Sequence, residues 1–195
     1  MIRLTDMVAS GSILPDGADV LREVGASGRS FLVYALPRNA GKSTLTNAIL
    51  AEAPADVPRT DFFGTEDERA ALSAASTRGY LVVGEIGHRG RPGYLADEEV
   101  PRVFALVADG YALASSLHAD SPDEVFEVLA RNGVDPQTAA SVTYLAKVRA
   151  LGDPNEPATP RIVEQVDEVT GVADGRPAVK RLYEWDGKTS PAPAS

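Results

Sequence analysis

Cysteine is absent from this chain of 195 residues, which excludes disulfide bonds, cysteine-ligated zinc and thiol catalysis. A chain without cysteine fits a reducing compartment, and we predict a cytoplasmic protein. Long apolar runs are also absent. None approaches the roughly 20 residues that a membrane-spanning helix needs, and the N-terminus lacks the apolar core of a signal peptide. We therefore predict no direct insertion into a membrane.

Positive charge is scarce. The 19 lysines and arginines are outnumbered by 28 aspartates and glutamates, which gives a net charge of -9. Proteins that bind nucleic acids usually present a basic face, so we predict no nucleic-acid partner. A nucleotide remains possible, because a phosphate site needs only a local positive field. The hydrophobic content of 44% is ordinary for a soluble domain with a real core.

Short apolar runs bounded by polar residues or glycine indicate three buried strands. They cover residues 31–35, 80–86 and 111–117. Apolar residues at helical spacing indicate helices between these strands. They cover residues 41–53, 66–76 and 97–107. Pro101 must then lie in the first turn of the third helix or kink it.

Two later segments carry signals for the start of a helix. Residues 121–124 read Ser-Pro-Asp-Glu, which supplies an N-cap serine, a proline at the first helical position and a glutamate three residues after the cap. Residues 135–136, Asp-Pro, open another helix in the same way. Strands and helices therefore alternate, which predicts an α/β fold with a mostly parallel sheet flanked by helices.

The last part of the chain changes character. Residues 152–160 form a polar, proline-rich stretch, which we call the connector. Strand-like runs follow at 161–169 and 178–185, and Asp174-Gly175 lies between them. This arrangement predicts a C-terminal β-hairpin.

These patterns divide the chain into three parts. Residues 1–30 are predicted to be a helical lead-in that packs on the core. Residues 31–185 are predicted to form a single α/β domain, with the hairpin at 161–185. Residues 186–195 are predicted to be a disordered tail.

The stretch LPRNAGKST, residues 36–44, matches the right half of the phosphate-loop pattern G-x-x-x-x-G-K-[ST]. It lies between a predicted strand and a predicted helix, where backbone N–H groups and a helix N-terminus can meet a phosphate. The motif also supplies a lysine for the phosphates and a hydroxyl for magnesium. The predicted nucleotide-binding residues are Pro37, Arg38, Asn39, Ala40, Gly41, Lys42, Ser43 and Thr44.

The left half of the loop departs from the pattern, because Leu36 stands where the first glycine is expected. If Leu36 adopted glycine-like dihedral angles, the strain would be about 1–3 kcal/mol. Asn39 is a milder change, since asparagine tolerates a left-handed conformation. A glycine-lysine-serine cluster that only caps a helix is the alternative to a nucleotide site.

Three side chains are candidates for the chemistry. Glu85 closes the second predicted strand, where a carboxylate would orient water and help to hold magnesium; a surface glutamate is the alternative. His118 lies at the tip of the third strand, and such tips converge on a ligand crevice; a structural histidine is the alternative. Glu66 lies in a capping box, so capping of a helix competes with a catalytic role. His88, in a glycine-rich loop, is expected to be solvated.

Three segments match the motifs of one protein family in their order along the chain. GTEDE is similar to an acidic box, with Glu66 and Asp67 matching its Glu-Asp pair. YLVVGEIGH resembles a Walker B stretch, with Glu85 in place of the catalytic glutamate. SSLHADS resembles a His box, with His118 in place of its histidine. With the phosphate loop, they resemble the motor ATPases of type II and type IV secretion systems and pilus assembly, which are RecA-like P-loop traffic ATPases.

The resemblance implies a RecA-like P-loop NTPase core that binds ATP and Mg²⁺. It implies that Lys42 contacts the phosphates and that Ser43 and Glu85 hold the metal. It also implies that Glu85 orients the attacking water, that Glu66 assists and that His118 senses the γ-phosphate. Implied partners are further copies of the chain, as in a hexameric ring, and proteins of a secretion or pilus apparatus.

The sequence departs from the family in two further respects. No segment matches the family's separate N-terminal domain, so a minimal ATPase core is expected. The arginine-bearing segments that usually reach the phosphates are not recognisable either. Nucleotide binding is therefore better supported than hydrolysis, and hydrolysis better than ring formation.

Two other functions fit parts of the sequence. A nucleotide-binding sensor or scaffold partner of a secretion motor would keep the fold without hydrolysis. A small GTPase-like protein would use residues 61–64, DFFG, as its D-x-x-G motif and residues 132–135, NGVD, as a broken N-K-x-D motif. The second alternative is weakened because no apolar strand leads into Asp61.

Overall fold

The computed structural model describes residues 2–188, so the tail predicted at 186–195 lies mostly outside the described residues. The helices are α1 Leu4–Ala9, α2 Pro15–Ala26, α3 Lys42–Leu50, α4 Glu66–Ala74, α5 Glu99–Ala108, α6 Pro122–Arg131 and α7 Pro136–Ala139. The strands are β1 Phe31–Tyr34, β2 Arg59–Asp61, β3 Tyr80–Val82, β4 Glu85–Ile86, β5 Tyr94–Leu95, β6 Ala112–Leu117, β7 Tyr144–Ala150, β8 Arg161–Ala173 and β9 Arg176–Glu184. No helix within residues 2–188 is long and apolar enough to cross a membrane.

The strands form one sheet in the order β2-β3-β6-β1-β7-β8-β9, and the short strands β4 and β5 join it through β6. Strands β2, β3, β6, β1 and β7 run parallel, whereas β7, β8 and β9 are antiparallel. Asp174 and Gly175 join β8 to β9 with φ angles of 52° and 77°, as a tight hairpin turn requires. The predicted α/β fold, mostly parallel sheet and C-terminal hairpin are confirmed.

Helices cover both faces of the sheet, and the central strand β1 serves both cores. Its side chains alternate between the faces, as the pleat of a strand dictates. Leu32 and Tyr34 join the core beneath α5, α6 and α7, whereas Phe31 and Val33 join the core beneath α1, α2 and α3. Phe31 also packs edge-on against the ring of Tyr80 at 6.0 Å. Because both faces are covered, β1 is apolar throughout.

The N-terminal helices α1 and α2 pack on the same body. Leu4 of α1 and Leu21 of α2 are fully buried in the second core. Gly17 of α2 faces the ring of Tyr183 so closely that an added Cβ would lie 2.6 Å from it. Helices α1 and α2 therefore share one core with α3, and the division of the chain at residue 30 stays a prediction.

Local hydrogen bonds explain where three of the helices begin. In α4, the Thr65 hydroxyl accepts from the Glu68 N–H at 3.2 Å, and the Glu68 carboxylate accepts from the Thr65 N–H at 3.0 Å. In α6, the Ser121 hydroxyl accepts from the Glu124 N–H at 3.2 Å. In α7, the Asp135 carboxylate accepts two backbone N–H groups. These contacts satisfy N–H groups that the first helical turn leaves without partners, and they confirm the predicted starts.

The helices and apolar strands differ from the predicted spans mainly at their ends. α3 and α4 end earlier than predicted, at Leu50 and Ala74. α5 begins at Glu99 with Pro101 in its first turn, which confirms the position required of that proline. The predicted strand at 80–86 is divided into β3, which ends at Val82, and β4, which begins at Glu85; between them the Gly84 N–H bonds to the Gly93 carbonyl at 2.8 Å.

Strands β2, β5 and β7 were not predicted, and β7 shows why. It carries Lys147 and Arg149 in a strand next to the centre of the sheet. Lys147 Nζ lies 3.0 Å from a carboxylate oxygen of Asp120, and Arg149 donates to Glu164 at 2.8 Å. Partners that are distant in sequence therefore neutralise the charges. Strand β2 is also polar and ends at Asp61, so a strand is present here, but it is not the apolar strand whose absence weakened the GTPase alternative.

A buried polar network ties the end of β1 to the hairpin. Asp167 of β8 is fully buried, and Arg181 of β9 donates to its carboxylate at 2.5 Å. Gln165 donates to the same carboxylate at 2.8 Å and to the Tyr34 hydroxyl at 2.7 Å. Burial raises the pKa of that hydroxyl, and the charge of Asp167 raises it further. Tyr34 is therefore a neutral member of the network.

Replacing Arg181 by alanine should destabilise the fold, because it leaves the Asp167 carboxylate buried without its cation. We expect the free energy of unfolding to fall by about 2 kcal/mol, measured by urea denaturation. The control is Glu184→Gln, which removes an exposed carboxylate 3.0 Å from the same arginine. It should change stability by less than about 0.5 kcal/mol. Equal losses in the two variants would contradict a dominant role for the buried contact.

Candidate functional site

The loop between β1 and α3 carries the phosphate-loop pattern. Gly41 is the N-cap of α3, with φ 101° in the left-handed region. The Leu45 N–H is the first to bond backwards, to the Gly41 carbonyl at 3.1 Å. The N–H groups of residues 39–44 have no acceptor within residues 2–188. The loop and the helix N-terminus therefore offer a row of donors to an anion.

The two departures in the loop behave differently. Positive φ occurs among the non-glycine residues of 2–188 only at Asn39, Asp97 and Asp174. Leu36 therefore has an ordinary backbone conformation, and its side chain is 61% exposed. Leu36 does not take glycine-like dihedral angles, so the condition for strain is not met. Asn39 has φ 59°, which confirms that it takes a left-handed conformation.

The side chains of Lys42, Glu85 and His118 meet at one edge of the sheet. Lys42 Nζ lies 3.4 Å from one carboxylate oxygen of Glu85, and His118 Nε2 lies 3.3 Å from the other. Lys42 Nζ is also 3.3 Å from both ring nitrogens of His118. Lys42 and Glu85 are only 6% and 7% exposed. A buried charge is costly unless it is paired, and these two charges pair with each other.

The phosphate loop fixes the orientation of the His118 ring. His118 Nδ1 lies 2.8 Å from the backbone carbonyl oxygen of Leu36. A carbonyl oxygen only accepts, so Nδ1 carries a proton and donates it. In the neutral ring, Nε2 then accepts from the Lys42 ammonium, whereas in the protonated ring Nε2 carries a proton and donates to the Glu85 oxygen 3.3 Å away. The backbone of Leu36 thus joins the loop to the tip of β6, whatever side chain stands at this position.

Burial lowers the pKa of the Lys42 ammonium below its ordinary value of 10.5. The charge of Glu85 and its hydrogen bond to the ammonium oppose this effect, and the positive charge of Arg38 adds to the lowering. Burial outweighs the pairing with Glu85. An anion added beside Lys42 would stabilise its charged form and raise the pKa again.

A cleft of about 970 Å³ opens beside these side chains. Its lining contains the loop residues 38–44 together with Glu85 and His118. Of the predicted binding residues, only Pro37 is outside the lining. The remaining walls come from the N-terminal segment at 2–12, the loop at 88–94 and the connector with Arg161. Phosphate-binding and catalytic candidates from distant parts of the chain therefore face one space.

Glu66 is the predicted catalytic residue that the structure does not bring to the cleft. It is the first residue of α4, and its carboxylate accepts from Arg69 at 2.8 Å. Its other oxygen lies 3.6 Å from Arg102 Nε. Both contacts are those of an exposed carboxylate at a helix N-terminus. A catalytic role for Glu66 stays a prediction.

Comparisons with known proteins give a match in structure alone. No family model and no curated protein matches the chain. It is similar to the VirB11 ATPase of the Brucella suis type IV secretion system, solved with sulphate, at 17% identity and a TM-score of 0.56. That match covers 84% of this chain and 54% of VirB11. The chain is also similar to the Legionella pneumophila ATPase DotB, at 14% identity and a TM-score of 0.51, over 92% of this chain and 50% of DotB.

This chain has the fold of these two ATPases. The resemblance inferred from motifs is thereby confirmed at the level of the fold. The chain spans about half of the length of either protein.

The cleft contains cationic side chains that the motifs did not identify. Arg89, Arg91 and Arg161 belong to its lining. His88 is exposed, as predicted, but its ring centroid lies 5.2 Å from that of His118. The sequence could have indicated Arg89 and Arg91, because they lie in GHRGRPG, the loop that directly follows Glu85 and Ile86. Arg161 gave no signal, since it lies more than a hundred residues from the loop it faces.

The two segments considered for a guanine-nucleotide site have structural roles in the fold. Phe62 is fully buried in the core. The Asn132 side chain accepts from the Asp97 N–H at 2.8 Å and donates to the Val128 carbonyl at 2.8 Å. Asp135 caps α7. No residue of 61–64 or 132–135 is part of the cleft lining.

Replacing Gly41 by alanine should strain the loop. A Cβ at this position would lie 3.3 Å from Arg161 Cδ in a left-handed backbone. We expect the free energy of unfolding to fall by about 2 kcal/mol. The matched control is Gly28→Ala, because Gly28 has φ 67° and no atom within 4 Å of its added Cβ. It should cost only about 1 kcal/mol in urea denaturation. A control variant as unstable as Gly41→Ala would show that contact with Arg161 contributes nothing.

Proposed function

We propose that this chain is an ATP-binding P-loop ATPase of the secretion and pilus motor type, with slow hydrolysis. The observation that carries the proposal is the buried cluster of Lys42, Glu85 and His118 in an open cleft, at the N-terminus of α3. A buried ammonium beside a row of unbonded N–H groups is the arrangement that a polyphosphate completes. A salt bridge that served stability alone would not need a cleft of this size beside it.

The cleft supplies a local positive field in an acidic chain. Lys42 would contact the β- and γ-phosphates, and the N–H groups of residues 39–44 would surround the phosphate chain. Arg38 and Arg91 add positive charge around the same space, whereas the charge of Arg89 is offset by Asp97 and Glu98. Arg38 and Arg91 would supply charge that the family's arginine-bearing segments usually provide.

The residues present fit a magnesium ion that is held together with the nucleotide. The Ser43 hydroxyl and the Glu85 carboxylate face the cleft, and both are oxygen ligands of the kind that magnesium prefers. No group of three or more acidic or histidine side chains within residues 2–188 could hold a metal ion. Phosphate oxygens would therefore complete the coordination, as is usual for magnesium. When bound, the ion would neutralise charge on the phosphates.

Nucleotide binding would change the partner of Glu85. Phosphate oxygens would compete with this carboxylate for the Lys42 ammonium, and Glu85 would then be available to orient the attacking water. His118 donates to the Leu36 carbonyl through Nδ1, so its Nε2 would contact the γ-phosphate as a donor, with both ring nitrogens protonated. Glu66 would assist only if the N-terminus of α4 approached the cleft.

A nucleotide-binding sensor or scaffold partner without hydrolysis is the second candidate. One observation favours it: both oxygens of Glu85 are already engaged, by Lys42 and by His118. If the carboxylate kept these contacts with nucleotide bound, no base would remain for the water. A GTPase-like function is the third candidate, and preferential binding of GTP would support it over the first two.

The wider setting is also a proposal. VirB11 belongs to a type IV secretion system, and both structural matches are named as ATPases. We propose a cytoplasmic protein that works with proteins of a secretion or pilus apparatus, as a homo-oligomer such as a hexamer. No nucleic acid is needed in this scheme.

Two substitutions separate binding from hydrolysis. Lys42→Ala should weaken ATP–Mg²⁺ binding by at least about tenfold, because it removes a charge-assisted contact to phosphate. Glu85→Gln should still bind ATP but lower the rate of phosphate release by about 100-fold or more, because the amide is no base. Binding is measured by calorimetry and turnover by phosphate release.

The control is Glu127→Gln, an exposed glutamate of α6 that pairs only with Arg131 on its own helix among the described contacts. It should leave both quantities unchanged. Wild-type protein that binds ATP without turnover would support the sensor. No binding of ATP or GTP at millimolar concentration with magnesium would refute all three candidates.

Nucleotide affinity should decrease as the pH rises, with a midpoint below pH 10.5. Burial lowers the pKa of Lys42, so the free protein loses this ammonium at a lower pH than a surface lysine would. Only the charged form attracts phosphate, so affinity stays constant below the lowered pKa and decreases above it. Titration of ATP–Mg²⁺ binding against pH measures this midpoint. Lys42→Arg, whose guanidinium stays charged, should give a flat profile. A midpoint at or above 10.5 in the wild type would contradict the argument.

A further inference from the structure

Arg161, the first residue of β8, holds the connector against the phosphate loop. Its Nε donates to the Asn39 carbonyl at 2.8 Å. Its two terminal nitrogens donate to the Thr159 and Pro154 carbonyls at 2.8 and 2.9 Å. A second hydrogen bond joins the phosphate loop to the connector: the Asn39 side-chain amide donates to the Asn155 side-chain oxygen at 3.1 Å. One guanidinium thus joins both ends of the connector to the loop.

Asn39 is the loop residue that needs such support. Its φ of 59° is disfavoured for a residue with a Cβ. In a glycine-rich phosphate loop, glycine takes such conformations without cost. Here the backbone carbonyl and the side chain of Asn39 are both held from outside the loop. The stem of Arg161 also packs close to the loop, since a Cβ on Gly41 would lie 3.3 Å from its Cδ.

We propose that Arg161 is a positioning residue of the nucleotide site, which holds Asn39 in its left-handed conformation and keeps the connector as a wall of the cleft. This inference rests on the proposed function. We assign Arg161 a role through the loop because each of its three guanidinium nitrogens donates to a backbone carbonyl of the loop or the connector. Only the planar fork of arginine can make these contacts together, and lysine cannot replace it.

The first experiment needs no nucleotide. Hydrogen exchange of the free protein is compared between wild type and Arg161→Ala, at the connector amides that are hydrogen-bonded: Asn155, Glu156 and Thr159. Without Arg161 to anchor the connector, exchange there should become about tenfold faster, while the amides of β1 keep their rates. Unchanged exchange in the connector would overturn the proposal whatever the protein binds.

The second experiment measures ATP–Mg²⁺ affinity. Arg161→Ala and Arg161→Lys should both weaken binding by about tenfold, because neither can hold Asn39. Full affinity in Arg161→Lys would mean that only the charge matters, and this would overturn the positioning role. A wild-type protein that binds no nucleotide would refute the proposed function instead, and the exchange experiment would still decide whether Arg161 anchors the connector.

The third experiment tests whether Arg161 acts through Asn39. In an Asn39→Gly background the left-handed conformation has no cost, so adding Arg161→Ala should weaken binding by less than about twofold. A full tenfold loss in that background would overturn the proposal. Thermal unfolding checks that each variant is folded. If Arg161→Ala does not fold, Asn155→Ala takes its place; this exposed residue loses one neutral hydrogen bond, and affinity should fall by about threefold. Unchanged affinity in Asn155→Ala would then count against the proposal.

Discussion

The contact between Lys42 and Glu85 is the constraint around which the cleft is arranged. Each side chain is almost completely removed from water, and either charge alone would be costly at that position. The pair therefore requires that the loop after β1 and the start of β4 reach the same edge of the sheet at a fixed separation. His118 at the end of β6 completes the cluster, and a carbonyl of the loop orients its ring.

The order of the strands meets this requirement. β6 lies beside β1 in the sheet and also pairs with β4, so the three strands that supply the cluster are neighbours. Since they run parallel, their carboxyl ends meet on one side, where open α/β sheets bind ligands. Polar groups concentrate there, while both faces of the sheet are filled by apolar side chains under the helices.

Sequence analysis located what local patterns encode. Apolar runs indicated the central strands, and caps such as Ser121 marked the starts of helices, because both signals lie within a few neighbouring residues. Glu85, His118 and residues 38–44 of the loop were found by motif, and they share the cleft. β7 was missed because Lys147 is neutralised by residues distant in the chain. The contact between Arg161 and Asn39 was not predicted either, because 122 residues separate them in the chain. The position of Glu66 was not predictable because it depends on how α4 packs.

Strand β8 touches the phosphate loop and the strand that leads into it. Gln165 bonds to the Tyr34 hydroxyl just before the loop, and Arg161 bonds to the Asn39 carbonyl within it. Three residues of β8, at 162–164, separate the two anchors, and the pairing with β7 shifts by one residue within this stretch. The same strand therefore holds the loop and the residue that precedes it at two points. A ligand that changes the shape of the loop must break one of these two contacts or move the hairpin together with the loop. The outer edge of the sheet is therefore coupled to the cleft.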